Sequence, residues 1–249
     1  GGPEIYLKQF WNNKPDWESA DTIVLSKGEL RTDIEFTMQI GGTISGIVTD
    51  TATGVPIPDM PVMVDTGDFG VGTCTGPDGR YSISGLALMT DWRVVTAPIS
   101  ESNRCGGPEI YAQEYWDNET TWGAADPIVL SVPGEVRNDI DFQLELSGSI
   151  SGQVFDDSNN PVEGACVILF NSPWNWWHII YLGQTGSDGA YTSTGIPAGE
   201  YYVRTEVACG EGNQSIIDEW YSSSGSTPDL NLAETVTITS GGVTAGVDF

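Results

Sequence analysis

The four cysteines are the first residues of this 249-residue chain whose type could carry chemistry. They are Cys74, Cys105, Cys166 and Cys209. Zinc sites are built from closely spaced ligands such as C-x-x-C pairs, and here no two cysteines have that spacing and the chain has one histidine. Disulfides are therefore favoured over a metal site, and three pairings of four cysteines are formally possible.

The single histidine, His178, lies in the aromatic run SPWNWWHIIYLG. No serine or cysteine nucleophile motif accompanies it, so we expect a loop or strand histidine among aromatic side chains instead of a general base. The 35 acidic residues are so numerous that no pair is distinguished as the acid and nucleophile of a glycosidase. P-loop, HExxH and EF-hand patterns are missing, and the sequence predicts no catalytic residue and no enzyme.

Aromatic residues cluster in the last third of the chain, in an insertion of about seven residues between Ile168 and Gly186. Such side chains could cap a hydrophobic core, form a subunit interface or stack on sugar rings. The sequence leaves all three interpretations open. This tryptophan cluster consists of Trp174, Trp176, Trp177 and Tyr181.

Clustered carboxylates make calcium the one cation worth considering, because hard cations prefer oxygen ligands. The weak candidates share one loop and are Asp156, Asp157 and Asn159. Asp and Asn are also common in turns without metal, since their side chains satisfy local backbone amides. We therefore predict no cofactor, with calcium as a possibility.

Two N-x-S/T sequons predict N-glycosylation at Asn118 and Asn213. Both lie in polar stretches that follow a Cys-Gly pair, which is the surface-loop context that a glycan needs.

The charge composition excludes some partners. With 35 acidic residues against 9 Lys and Arg, the formal net charge is −26, which repels phosphate backbones and anionic membrane surfaces. No apolar run approaches the roughly 18 residues that a membrane span needs. Nine Trp and nine Tyr favour a folded core over disorder. We expect a soluble, acidic protein that binds no nucleic acid and does not insert into membranes.

An internal repeat organises the chain. GGPEIY at Gly1 recurs at Gly106, ADTIVLS at Ala20 recurs as ADPIVLS, and GELRTDIEF at Gly28 recurs as GEVRNDIDF. A second block, GTISGIV at Gly42, recurs as GSISGQV at Gly148. The period is about 105 residues, the size of one ordinary domain.

The repeat predicts two and a half domains. Residues 1–40 form the second half of a repeat, 41–146 a complete repeat and 147–249 another. The strands of the half-repeat would expose an unpaired edge unless preceding sequence or another subunit completes them.

Alternating apolar residues predict the secondary structure. Ile44, Gly46 and Val48 point to one face of a strand with Ser and Thr on the other. Asp78-Gly79 and its counterpart Asp188-Gly189 predict tight hairpin turns. No helix of ten or more residues is apparent. About seven short strands per hundred residues favour an all-β fold of tandem β-sandwiches.

The pattern G-x-I-S-G-x-V-x-D, an apolar strand and then D-G-x-Y resembles carboxypeptidase regulatory-like domains, which are transthyretin-like (Ig-like) β-sandwiches, and the related B-type repeats of collagen-adhesin surface proteins. The resemblance implies a stalk, spacer or assembly module at the cell surface and no catalysis. Adhesin repeats often carry a Lys–Asn isopeptide bond, but here every lysine lies in the leading half-repeat (Lys8, Lys14 and Lys27). That cross-link cannot form within the complete repeats.

Disulfides take the place of that cross-link. The repeat favours pairing Cys74 with Cys105 and Cys166 with Cys209, each within one domain. Closing loops of about 30–45 residues contributes roughly 3–4 kcal/mol each in the chain-entropy model. Disulfides also indicate an oxidising, extracellular compartment.

The sequence thus predicts an extracellular structural glycoprotein, a segment of a surface stalk or a filament subunit. We expect it to polymerise with itself head to tail, through strands supplied to the half-repeat. The alternatives are a carbohydrate-binding module that uses the tryptophan cluster, and an accessory region of a secreted hydrolase.

Overall fold

The computed structural model describes residues 5–97, 105–172, 179–206 and 217–249, and backbone only for 179–182. These residues form sixteen β-strands and one short 3₁₀ helix, Leu230–Leu232. The all-β prediction is confirmed. No helix in the described part of the chain is long and apolar enough to cross a membrane.

Nine strands form two sheets in the middle repeat. Strand β1 lies between β4 and the short strands β8 and β9, while the second sheet has the order β3-β2-β5 with β6 and β7 both on β5. The pairs β1–β8 and β1–β9 are parallel. The strands are β1 Gly42–Asp50, β2 Pro61–Asp65, β3 Gly70–Cys74, β4 Arg80–Leu86, β5 Asp91–Thr96, β6 Glu114–Tyr115, β7 Ile128–Val129, β8 Val136–Arg137 and β9 Phe142–Leu144.

Seven strands repeat this architecture in the last repeat. One sheet has the order β13-β10-β16 and the other β12-β11-β14-β15. The pair β10–β16 is again parallel. The strands are β10 Gly148–Gln153, β11 Cys166–Phe170, β12 Ile179–Gln184, β13 Ala190–Ile196, β14 Gly199–Glu206, β15 Thr235–Ile238 and β16 Val243–Ala245.

Each repeat encloses its own hydrophobic core. In β1 the burial alternates along the strand as predicted, with Ile44 and Val48 fully buried. The opposite face, formed by Thr43, Ser45, Ile47 and Thr49, is half-buried, so one face packs in the core and the other is partly exposed to solvent. The middle core contains, among others, Met60, Val62, Val64, Ile83, Trp92, Ile128, Leu130, Ile140, Phe142 and Leu144. The last core contains Ile150, Val167, Leu169, Tyr191, Tyr201, Val203, Val236, Ile238 and Val247.

The two Asp-Gly turns are tight, but they do not join paired strands. Gly79 and Gly189 have positive φ of 72° and 73°, where a side chain would be strained. Each turn connects strands of opposite sheets, β3 to β4 and β12 to β13. The prediction of a simple hairpin is therefore wrong, because the chain crosses from one layer of the sandwich to the other.

Residues 5–40 contain no strand, contrary to the expectation of half a β-sandwich with formed strands. Two isolated bridges occur instead, Tyr6 with Ile40 and Phe10 with Lys14. Most of the large apolar side chains are exposed. Short strands of a sandwich form only against neighbouring strands, and the described residues offer none to this segment.

Candidate assembly site

The two halves of the middle repeat meet at a set of contacts that we call the clasp. Gly46 of β1 faces the carbonyl oxygen of Ile140 so closely that a Cβ atom would overlap it. The Tyr81 hydroxyl donates a hydrogen bond to the same oxygen at 2.6 Å. The next residue, Asp141, accepts the backbone N–H of Ile47 at 2.8 Å. The clasp therefore needs a glycine, a tyrosine and a carboxylate at fixed places.

The electrostatics of the clasp keep its tyrosine protonated. Burial raises the pKa of Tyr81 far above its ordinary value of 10, and the nearby Asp141 charge raises it further. The hydroxyl consequently stays protonated and able to donate to the Ile140 carbonyl.

The last repeat contains the same clasp. A Cβ on Gly152 would overlap the Val247 carbonyl, and the Tyr191 hydroxyl donates to that carbonyl at 2.6 Å. Asp248 accepts the N–H of Gln153 at 2.9 Å. Burial raises the pKa of Tyr191, with a further contribution from the charge of Asp248. Two repeats of different sequence thus join their halves by one geometry.

In residues 5–40, the clasp-forming positions meet no first half of a repeat among the residues that the structure describes. Ile34 and Glu35 stand where Ile140 and Asp141 stand in the middle repeat. The core-forming positions around them are uncovered: Phe36 is 51% exposed where Phe142 is 1% exposed. The same holds for Ile23, Leu25 and Met38 against the buried Ile128, Leu130 and Leu144.

Locally determined contacts are nevertheless the same in both copies. The Ser26 N–H donates to the Glu29 carboxylate at 2.9 Å, as the Ser131 N–H donates to Glu135 at 2.6 Å. Both isolated bridges of the leading segment recur in the middle repeat, as Tyr111–Leu146 and Tyr115–Glu119. The segment therefore has the turns of a second half but lacks the sheets.

The equivalent tryptophans Trp122 and Trp17 differ in the same way. Trp122 donates its Nε1–H to Asp65 at 2.6 Å, and the Arg93 guanidinium lies 3.9 Å from the centre of its ring. Asp65 and Arg93 both belong to the first half of the repeat. The equivalent Trp17 has no such cover and is 80% exposed, touching Phe10 edge-on at 6.0 Å.

A disulfide closes the middle repeat. Cys74 and Cys105 are bonded, as the repeat logic favours. The bond links β3 to the segment that leads into the second half, so it holds the two halves of one repeat together. Cys166 is also disulfide-bonded. Its expected partner, Cys209, lies outside the described residues, so the Cys166–Cys209 pairing stays a prediction.

Several predicted site residues lie outside the described part of the chain. They are His178, Asn213 and, within the tryptophan cluster, Trp174, Trp176 and Trp177, and the side chain of Tyr181 is not described either. Asn118 is exposed at the tip of a turn with φ of 60°, and its glycosylation stays a prediction.

The loop proposed for calcium is held by its own hydrogen bonds. One oxygen of Asp156 accepts the backbone N–H groups of Ser158 and Asn160 at 2.9 and 2.8 Å, and the Asn160 side-chain amide binds both carboxylate oxygens. These hydrogen bonds, those from Asn160 foremost, lower the pKa of Asp156. Asp157 and Asn159 are exposed. Among described residues, no group of three or more His, Cys, Asp or Glu side chains could hold a metal ion.

A second polar feature lies where the middle repeat approaches the last one. Glu114 and Glu145 line a groove of about 310 Å³ together with Pro197 and Ala198. Burial raises the pKa of Glu114 to about 7, and the charge of Glu145 contributes. Neither carboxylate was singled out from the sequence, because nothing in the spacing shows that they meet.

The clasp tyrosines were also missed as contact residues. The sequence contains a signal, since a tyrosine follows Asp-Gly by two positions in both repeats, but this pattern predicts only a turn. For Gly46, the alternation of residues predicts only a place on one face of a strand.

No protein-family model and no curated protein sequence matches the chain. Among solved structures, it is similar to the Bacillus anthracis TIE protein (14% identity, TM-score 0.33), covering 87% of this chain and 35% of that one. It is also similar to a streptococcal ancillary pilin (14%, TM-score 0.32; 84% and 62% covered) and to the minor pilin GBS52 of Streptococcus agalactiae (10%, TM-score 0.32; 84% and 94%). The chain thus spans about a third of the first protein and under two thirds of the second. The fold assignment rests on the sheets and cores described above.

Proposed function

We propose that this chain is a structural segment of an extracellular stalk or filament built from tandem β-sandwich repeats of the transthyretin-like kind. The observation that carries the proposal is the clasp, which two successive repeats form with the same geometry and which residues 5–40 present unpaired. A chain of modules that each close by the same contact is suited to an extended, repetitive structure.

The extracellular assignment is supported by the disulfide chemistry. A bonded Cys74–Cys105 pair is stable in oxidising compartments and rare in the cytosol. The net charge of −26 also suits a repetitive surface scaffold, because like charges keep neighbouring scaffolds apart in solution.

The leading segment would be completed by the first half of another repeat, so that successive sandwiches follow one another in a row. An apolar surface with unpaired backbone groups favours the addition of strands from another polypeptide, in which main-chain hydrogen bonds give affinity and side-chain pockets give specificity. Ile23, Leu25 and Phe36 supply that surface here. Assembly of this kind needs no isopeptide bond.

Electron microscopy of the native material, with antibodies against residues 42–249, tests the proposal. We expect labelled rods or filaments at the cell surface, and an intact mass that shows oxidised cysteines. Isolated globular particles, or labelling confined to the cell interior, would contradict it.

A further inference from the structure

We infer that residues 5–40 bind one kind of partner, namely an unpaired first half of a repeat with the strand arrangement of β1 to β5. The inference rests on the proposed function, since it names what completes the open segment. It is drawn from an interface that the chain itself forms twice.

In both repeats, the strands of the second half pair with two equivalent strands of the first half. In the middle repeat β8 and β9 pair with β1, and β6 and β7 pair with β5. In the last repeat β16 pairs with β10, and β15 pairs with β14. A partner must therefore bring a β1-like strand in one sheet and a β5-like strand in the other.

A folded repeat of a second copy cannot supply these strands. Among described residues, 42–97 is already paired with 105–144, and 148–206 with 217–249. Using either would break an existing sandwich, with the loss of a core that contains more than ten buried side chains. The partner is thus a first half that has no second half of its own.

The clasp specifies the chemistry of the partner strand. The strand must place a glycine against the Ile34 carbonyl, as Gly46 lies against Ile140, because any Cβ would overlap the oxygen. A tyrosine hydroxyl must donate to that carbonyl, as Tyr81 does. A backbone N–H must reach the carboxylate of Glu35, which is one methylene longer than Asp141.

Charge adds a further requirement on the partner. Trp122 is covered by an arginine and an aspartate of its first half, Arg93 and Asp65. We expect the partner to bring an equivalent pair to Trp17, which would bury the exposed ring under a guanidinium. A first half with the sequence of residues 42–105 has all of these features.

An extended chain tests this inference directly. A second copy of residues 42–105 is added in front of Gly1, which recreates the natural sequence Cys-Gly-Gly-Pro-Glu-Ile-Tyr at the junction. Its own Cys74 and Cys105 can pair with each other. We expect amide hydrogen exchange of residues 34–38, followed by mass spectrometry, to slow at least about 100-fold relative to the unextended chain.

Matched variants of the added copy give the control. Gly46→Val in that copy alone should abolish the protection of residues 34–38, whereas Val48→Ile, which keeps the strand apolar, should retain it. Tyr81→Phe in the added copy should keep the paired structure but reduce the protection of residues 34–38 about tenfold. In every variant the exchange of residues 140–144 is the internal reference for an intact middle repeat.

The outcomes separate this inference from the proposed function. Unchanged exchange of residues 34–38 in the extended chain, with an intact middle repeat, overturns the inference even if the native material is filamentous. Equal protection by the Gly46→Val copy overturns it too. A third outcome is that the native material is globular while residues 34–38 are fully protected in the extended chain. That outcome would contradict the proposed filament but support the inferred partner.

Discussion

Residues 5–40 and residues 110–146 have nearly the same sequence pattern but very different surroundings. In the second region a first half covers the apolar positions, and strands β6 to β9 form. In the first region the same positions are exposed, and turns form without strands. The comparison separates what the local sequence encodes from what a tertiary partner provides.

The local part consists of turns and their side-chain hydrogen bonds. Asn12 and Asn13 have positive φ of 64° and 57°, and the equivalent Asp117 and Asn118 have 69° and 60°. Such residues tolerate this conformation because their short polar side chains bond locally. The non-local part is the sheet pairing, which contributes the burial and most of the stability.

Deleting one phenylalanine ring in each region gives the largest contrast. Phe142→Ala removes a fully buried side chain, and we expect the middle repeat to lose about 3–5 kcal/mol of unfolding free energy. Phe36→Ala removes a half-exposed ring, and we expect a loss of less than about 1 kcal/mol. Urea unfolding followed by Trp fluorescence measures both, and equal losses would show that residues 5–40 are packed like their counterpart.

A methyl group at the clasp glycine tests the close approach of the halves. Gly46→Ala should destabilise the middle repeat by about 2–4 kcal/mol, because the Ile140 carbonyl has to move. Gly70→Ala in β3 is the matched control, since its Cβ would meet no atom nearer than 3.4 Å. The thermal unfolding midpoints of the two variants should differ clearly, and similar midpoints would remove the clasp from the account.

Removing the clasp hydroxyl tests its hydrogen bond alone. Tyr81→Phe leaves the buried Ile140 carbonyl without its donor, for an expected loss of about 1–2 kcal/mol. Tyr191→Phe should cost the last repeat a similar amount. The shared geometry would be contradicted if neither variant lost stability, or if a variant destabilised the repeat that does not contain the changed tyrosine.

The pH dependence of stability distinguishes the two regions, because the middle repeat contains a partly buried carboxyl group at Glu114. The pKa of Glu114 in the folded protein is about 7, above the ordinary 4.5, so the folded state holds the proton more tightly and its stability falls as pH rises from about 4.5 to 7. Glu114→Gln should match the parent near pH 4 and exceed it by about 1–2 kcal/mol above pH 7. Urea unfolding at both pH values measures this.

The leading segment offers the control for that measurement, because Gln9 occupies the position of Glu114. Gln9 is half-buried, and its Oε1 is shielded from solvent without a hydrogen-bond partner among the described residues. Gln9→Glu should therefore lose stability above pH 7, by less than Glu114→Gln gains, and a loss of equal size would indicate that residues 5–40 are as buried as the middle repeat.

Much of the fold could be predicted, because an internal repeat and the alternation of apolar and polar residues can both be recognised in the sequence alone. The strand faces of β1, the positive φ of Gly79 and the Cys74–Cys105 pair could all be predicted. The assignment of β3 and β4 to opposite sheets could not, since a tight turn looks the same whether or not its strands stay paired.

The candidate site was less predictable for a related reason. The clasp joins residues about 60 to 95 positions apart, such as Tyr81 with Ile140 and Ile47 with Asp141. One partner is a backbone carbonyl, which leaves no trace in residue type. The sequence predicts that residues 5–40 need a partner, because they match only half of a repeat. It does not predict the absence of strands there, because residues with strand propensity form strands only when they pair with a neighbour.

Native-state hydrogen exchange on residues 1–249, at a concentration where the chain is monomeric, tests the central claim most directly. Residues 34–38 and residues 140–144 occupy equivalent positions of the repeat, and in the structure only the second group is paired with a first half. The account predicts that the first group exchanges close to the rate of an unstructured chain while the second is strongly protected. Equal protection of both groups in the monomer would contradict it.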